Sequence, residues 1–230
     1  MMALSGAEAV QAVMSKAQCL LLDFDGPVCD IFAGLPAPTV AARLRATLEG
    51  AGAALPPEVQ ATDDPLEVFR FSGGLGEDLN ELGLSALTRL EVEAAGTARL
   101  THGAVELLAR ARAWGMLIAI VSNNSASAVG AFLDREGLAE QIDYLSARSA
   151  VDPSLMKPNP HLLDQAVSRF GVDPSASLLV GDSVTDVEAS KLAGVVAVGY
   201  ANKPGKVGRL AMAGADLIVT SMFELADALR

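Results

Sequence analysis

The chain has 230 residues, of which 51% are hydrophobic and only 4% aromatic, so an aliphatic core for one domain, or one domain with an insertion, is within reach. Seventeen basic against 28 acidic residues give a formal net charge of −11, which repels nucleic acid and anionic membrane surfaces at long range. No apolar run approaches the roughly twenty residues that span a bilayer, the N-terminus has no signal-peptide pattern, and Cys19 and Cys29 form neither a metal-ligand pattern nor a disulfide framework. A soluble, cytoplasmic protein is expected.

In chain order, short apolar runs alternate with helical patterns. The expected strands are Cys19–Phe24, Met116–Val121, Tyr144–Ala147, Leu178–Gly181, Val195–Val198 and Asp216–Val219. Several are continuously hydrophobic, as strands covered on both faces should be. Amphipathic helices are expected over His102–Trp114, Ser125–Glu136 and Ser221–Leu229. Such alternation predicts an α/β fold with a parallel sheet wrapped by helices, whose ligands gather beyond the carboxyl ends of the strands. From Ile31 to Gly96 the alternation stops and only helix signals remain. Val40, Leu44 and Leu48 recur at helical spacing, Asp64-Pro65 opens a second helix, and Ser85 is expected to cap a third that ends at Gly96. An all-helical domain over 31–96 is therefore expected, inserted after the first strand of a core formed by 1–30 and 97–230.

The residues suited to chemistry follow the strands. Asp23 and Asp25 flank Phe24, so on an extended chain both carboxylates face one side while Phe24 packs the other way, and Gly26 lets the backbone turn off. Ser122-Asn123-Asn124 ends the second strand just before a helix, where a hydroxyl and free backbone N–H groups form an anion site or simply an N-cap. Lys157-Pro158 follows the third strand by about ten residues. Gly181-Asp182-Ser183 ends the fourth strand, and Asp186 comes one helical turn later, so both carboxylates can converge on a single cation of the Mg²⁺ type. Taken singly these are weak signals with ordinary capping or surface readings. Their shared placement at one edge of the sheet is what gives them weight.

In order, DFDG, SNN, KP and GDSVTD resemble the four motifs of the haloacid dehalogenase superfamily, and the helical segment is similar to the cap of its phosphoglycolate phosphatase-like branch. The resemblance implies a Rossmann-like core and phosphate-ester hydrolysis. It makes Asp23 the covalent nucleophile and Asp25 the acid that protonates the leaving alcohol and then the base for water. Ser122 and the N–H of Asn123 would bind phosphoryl oxygens beside Gly26, and Lys157 would neutralise the transferring group and its carboxylates. Mg²⁺ would be held by the Asp23 side chain, the Asp25 carbonyl, Asp182 and Asp186. The substrate expected under a closing lid is a small phosphorylated metabolite. A sugar phosphomutase is the alternative within the superfamily. The related mutases carry a histidine early in the cap, whereas His102 and His161, the two histidines here, lie outside it. A non-catalytic phosphate-responsive binding module is the other alternative, although such a descendant would be expected to lose Asp23 or Asp25.

Several features depart from the pattern or mimic other motifs. Pro27 and Ile31 stand where the superfamily usually has hydroxyl residues, and Asp30 is expected to cap the first helix of the insertion. Cys29 lies beside the site and is expected to be a buried, inert thiol. Gly73-Gly74-Leu75-Gly76 resembles a dinucleotide loop without the strand it needs, and Gly199–Lys206 resembles a phosphate loop with Val207 in place of its hydroxyl. Asn202 or Lys203 in that loop could reach the leaving group, although an ordinary turn is the expected reading. Arg70 in the helical segment could bind an acidic group of the substrate, although a surface salt bridge is the expected reading.

Overall fold

A computed structural model describes residues 6–149 and 151–230. Six strands, β1 (Cys19–Leu22), β4 (Leu117–Ser125), β5 (Tyr144–Arg148), β6 (Ser177–Gly181), β7 (Val196–Tyr200) and β8 (Leu217–Val219), form one parallel sheet in the order β5-β4-β1-β6-β7-β8. Alternate residues of the central strands serve opposite faces. Leu20, Leu22, Ile118, Ile120, Leu178 and Val180 join one buried cluster, while Cys19, Leu21, Ala119, Val121 and Leu179 join the other. The first face is covered by α1 (Gly6–Met14), α6 (Ala104–Ala113), α7 (Ala126–Glu136) and α11 (Met222–Asp227). Against the second lie α8 (His161–Phe170) and α9 (Val184–Ala193), with α10 (Lys206–Ala213) beside them. This three-layer arrangement explains why the strands read as unbroken apolar runs.

After β1 the chain passes through β2 (Cys29–Asp30) and returns through β3 (Arg99–Leu100), which pairs antiparallel with it, Cys29 opposite Leu100 and Asp30 opposite Arg99. Between them lie four helices, α2 (Ala37–Gly50), α3 (Pro57–Ala61), α4 (Pro65–Ser72) and α5 (Glu77–Ala95). They enclose a core of their own, built on Val40, Leu44, Leu48, Val68, Phe69 and Leu87 and closed by Met156. Long α5 joins the two regions. Its Leu87 and Leu90 belong to the helical core, and its Ala94 and Ala95 belong to the sheet's core. No helix among the described residues is long and apolar enough to cross a membrane.

Three local expectations change. Ser85 caps nothing, because α5 begins eight residues earlier, after Gly76, with Glu77 and Asp78 favourably placed in its first turn. Gly83 is tolerated inside that helix because a Cβ there would approach Ser72 Oγ to 2.8 Å, so α4 and α5 pack closely. Asp30 lies in β2 instead of capping a helix, and α2 is preceded by Pro36 without a side-chain cap. The second strand runs on through Ser122-Asn123-Asn124 with an irregular register, so Ser125, not Ser122, caps α7, accepting from Ala128 N. Asp64 does open α4, accepting a hydrogen bond from Leu66 N at 2.8 Å.

Candidate active site

The motif residues meet at the carboxyl ends of β4, β1 and β6. Asp23 follows β1 directly, its backbone N–H donating to Val180 O at 2.9 Å and its Oδ1 accepting from Phe24 N at 2.8 Å. Phe24 points away into the core, edge-on to Phe132 with ring centroids 5.3 Å apart. Asp25 Oδ1 accepts from Ile31 N at 3.1 Å, so the chain leaving for the helical block orients this carboxyl. Gly26 has φ +106°, and a Cβ there would lie 2.5 Å from Asp182 Cγ. Gly26→Ala therefore forces both a left-handed backbone and a clash with Asp182. We expect it to cost more than about 1 kcal/mol in urea unfolding, with turnover reduced along with it.

Lys157 ties the cluster together. It is 1% exposed, with Nζ 2.8 Å from Asp23 Oδ1, 2.6 Å from Asp186 Oδ1 and 2.9 Å from Val121 O, to which it donates. Burial alone would lower this ammonium, but the charges of Asp186 and Asp23 outweigh it and hold the group above the usual lysine range. Asp23 is pushed the other way, up to about 8, first by burial and then by the charge of Asp186, with Lys157 opposing both. Asp25 is raised to about 7, again mainly by burial, while the Ile31 N–H works against the shift. A carboxyl near neutrality can both give and take a proton at physiological pH.

Asp182 stands at the end of β6 with its Oδ2 engaged by Lys206 and by Asn202 Nδ2, the latter at 3.1 Å. Asp186 forms a capping box with Ser183 at the start of α9, its Oδ2 accepting from Ser183 N and Oγ at 3.0 and 2.6 Å. Its buried Oδ1 accepts no aligned hydrogen bond among the described residues, the Lys157 ammonium being its charge partner. Oxygens of Asp23, Asp182 and Asp186 all lie within 4.8 Å of one another. An all-oxygen set with surplus negative charge and an incompletely satisfied oxygen fits a hard divalent cation such as Mg²⁺.

Asn123 and Asn124 line the cleft above this cluster, and Asn123 brackets Lys157, accepting from its N–H at 2.8 Å and donating to its carbonyl at 3.2 Å. Ser122 is fully buried behind them and does not line the cleft; its hydroxyl accepts from Asn124 N at 3.1 Å. The cleft, about 820 Å³, lies between the strand ends and the helical block, which contributes Asp63, Asp64, Leu66 and Arg70 to its walls. Arg70 makes no salt bridge among the described residues; instead Nη2 donates to Lys157 O at 3.0 Å. The loop after β7 is more than a turn, since Asn202 and Lys203 both line the cleft. Cys29 is buried, and burial, followed by the charges of Asp25 and Asp23, pushes its thiol well above the ordinary range, as an inert cysteine requires.

Sequence reasoning did not single out Lys206, Thr101, Glu91 or Arg148. Thr101 Oγ1 donates to Gly26 O at 2.6 Å and pins the turn after β1 to the returning strand. Glu91 and Arg148 form a fully buried ion pair at 2.6 Å next to Asn123–Ser125. In sequence each reads as an ordinary charge on a helix or a strand end.

Fold and site together define a three-layer α/β protein whose carboxylates gather around one buried lysine at the carboxyl edge of the sheet. The haloacid dehalogenase-like hydrolase family matches residues 18–194, most of the chain, and the protein belongs to that family. It is thus an enzyme of the hydrolase class.

Among relatives, a phosphoglycolate phosphatase of Synechococcus elongatus is 37% identical over 100 residues, 44% of this chain and 45% of that one. An N-acetylmuramic acid 6-phosphate phosphatase of Pseudomonas putida is 29% identical over 227 residues, 91% of this chain and 95% of its own. The chain thus spans under half of the first relative and nearly all of the second. In fold it is similar to CbbY from Rhodobacter sphaeroides in complex with phosphate (TM-score 0.66, 20% identity, 91% of this chain and 96% of that one). A hydrolase from Pseudomonas syringae is equally similar, with TM-score 0.68 at 20% identity over the same shares.

Proposed function

We propose that the protein is a Mg²⁺-dependent phosphatase that hydrolyses a small-molecule phosphate monoester through a phosphoaspartyl intermediate on Asp23. The observation that carries this reading is the convergence of Asp23, Asp186 and Asp182 with Lys157 beneath one cleft, beside a second carboxyl, Asp25, held near neutrality. Similarity to relatives named as phosphatases supports it.

In this mechanism an Asp23 carboxylate oxygen attacks phosphorus and the bond to the ester oxygen breaks. Asp25, protonated, gives its proton to the departing alkoxide. The acyl phosphate on Asp23 hydrolyses far more readily than the ester did. Asp25, now a carboxylate, takes a proton from the water that attacks phosphorus, the bond from phosphorus to the Asp23 oxygen breaks, and inorganic phosphate leaves with Asp23 regenerated as a carboxylate. Lys157 offsets the charge of Asp23 and Asp186 as the anionic group approaches, and Asn123 supplies a donor to the phosphoryl oxygens with Ser122 behind it. Asp23, the Asp25 carbonyl, Asp182 and Asp186 would hold Mg²⁺, which when bound neutralises phosphoryl charge.

The helical segment 31–96 would act as a cap over the core formed by 1–30 and 97–230, excluding water from a small metabolite. Two free, buried thiols suit a reducing compartment such as the cytoplasm.

Phosphate release from a panel of small phosphate esters with Mg²⁺ tests the proposal. Turnover is expected for at least one ester and should fall to background with EDTA. Isomerisation of a sugar phosphate without net phosphate release would replace this reading with the mutase. No turnover of any ester, together with tight binding of a protein partner, would favour the binding module.

A further inference from the structure

Glu91 lies inside the molecule at 0% exposure, and its carboxylate reaches from α5 to the ends of β4 and β5. Its Oε2 accepts from Ser125 N at 2.9 Å and from Arg148 Nη2 at 2.6 Å, and its Oε1 from Asn124 Nδ2 at 3.3 Å. Arg148, 4% exposed, donates through Nε to Asn123 O at 2.9 Å and rests over the Phe69 ring of α4, 4.9 Å from its centroid. Two buried charges thus grip three consecutive residues, Asn123, Asn124 and Ser125, and Asn123 in turn holds Lys157 on both sides.

Stability alone is a poor reason for this pair. Burying two ions costs several kcal/mol each, and an apolar pair of similar volume is often as stable or more so. What apolar side chains cannot do is orient a backbone carbonyl at 123 and a backbone N–H at 125. We propose that Glu91 and Arg148 are positioning residues that hold Asn123–Ser125 in register for the phosphoryl group and tie that register to the seating of α4 and α5. The inference rests on the phosphatase reading given above, in which Asn123 binds the transferring group.

The test compares wild type, Glu91→Gln and the double variant Glu91→Leu/Arg148→Met. Thermal midpoint, calorimetric binding of inorganic phosphate with Mg²⁺, and kcat and KM for p-nitrophenyl phosphate are measured on each. The double variant should keep the wild-type midpoint, bind phosphate at least tenfold more weakly and lose about 10- to 100-fold in kcat/KM. Glu91→Gln, which keeps an acceptor for Ser125 N, should fall between the two.

A folded double variant with wild-type phosphate affinity and wild-type kcat/KM would overturn the proposal. Should the double variant not fold, wild-type behaviour of Glu91→Gln would do the same. Wild type that binds phosphate without turning over any ester, with binding weakened in the variants, would sink the phosphatase reading and leave the positioning role standing.

Discussion

Asp23→Asn is expected to lower phosphate release by at least about 10³-fold without unfolding the protein. The asparagine Oδ1 can still accept from Phe24 N and face Lys157 Nζ, as Asp23 does at 2.8 Å in each case, so packing is kept. In the proposed mechanism the variant would lack the attacking oxygen, and with it the covalent intermediate. Brief mixing of wild type with substrate should give a mass increase of one phosphoryl group that the variant never shows.

Stability should move in a distinctive way. The carboxyl of Asp23 is raised from 3.8 to about 8 in the fold, so its ionisation opposes folding of the metal-free protein. The stability associated with its neutral form is complete below pH 3.8 and is lost as pH rises towards about 8. Metal-free wild type should therefore weaken more than Asp23→Asn across that interval in urea titrations. Equal pH slopes would show that Asp23 is not the strained group.

Lys157→Met should produce the second large effect. The ammonium is the shared partner of Asp23 and Asp186, at 2.8 and 2.6 Å, and both lysine and Asp186 are almost wholly buried. Removing one partner of a buried pair leaves uncompensated charge and costs about 3–5 kcal/mol. In the variant the Asp23 carboxyl, already raised in the fold and no longer opposed by the lysine, can stay protonated instead, so the loss should be smaller at acid pH than at alkaline pH. Turnover should fall by about 10²-fold or more, because charge on the phosphoryl group goes unanswered. A variant within about 1 kcal/mol of wild type at alkaline pH would mean that the cluster does not depend on this lysine for its charge balance.

Much of this site is legible in the linear chain because each element announces its own end. An apolar run that stops at Asp23 or Gly181-Asp182 marks a strand terminus, and a parallel sheet brings such termini to one edge. Asp23 and Asp25 both line the cleft while Phe24 joins the core, the sides that alternation of an extended chain predicts, although β1 itself stops at Leu22. Boundaries are harder to see. Ser122-Asn123-Asn124 reads as the end of a strand because it is polar, yet an irregular register lets β4 carry these residues to Ser125. Ser85 has the chemistry of a cap and still lies inside α5, because the turn at Gly76 and the acidic pair after it had already started the helix.

The motifs, their order, the alternation and the all-helical character of 31–96 depend on local pattern, and local pattern is carried by the chain itself. Partners far apart in sequence are another matter. Glu91 meets Ser125 and Arg148, Lys206 meets Asp182, Thr101 meets Gly26, and Arg70 meets the carbonyl of Lys157. A charged residue on a helix has the same local signature whether it faces water or another buried charge. Only the packing of α4 and α5 against the sheet removes water from Glu91 and Arg148, and that loss of solvent turns two ordinary surface residues into a pair that orients the site.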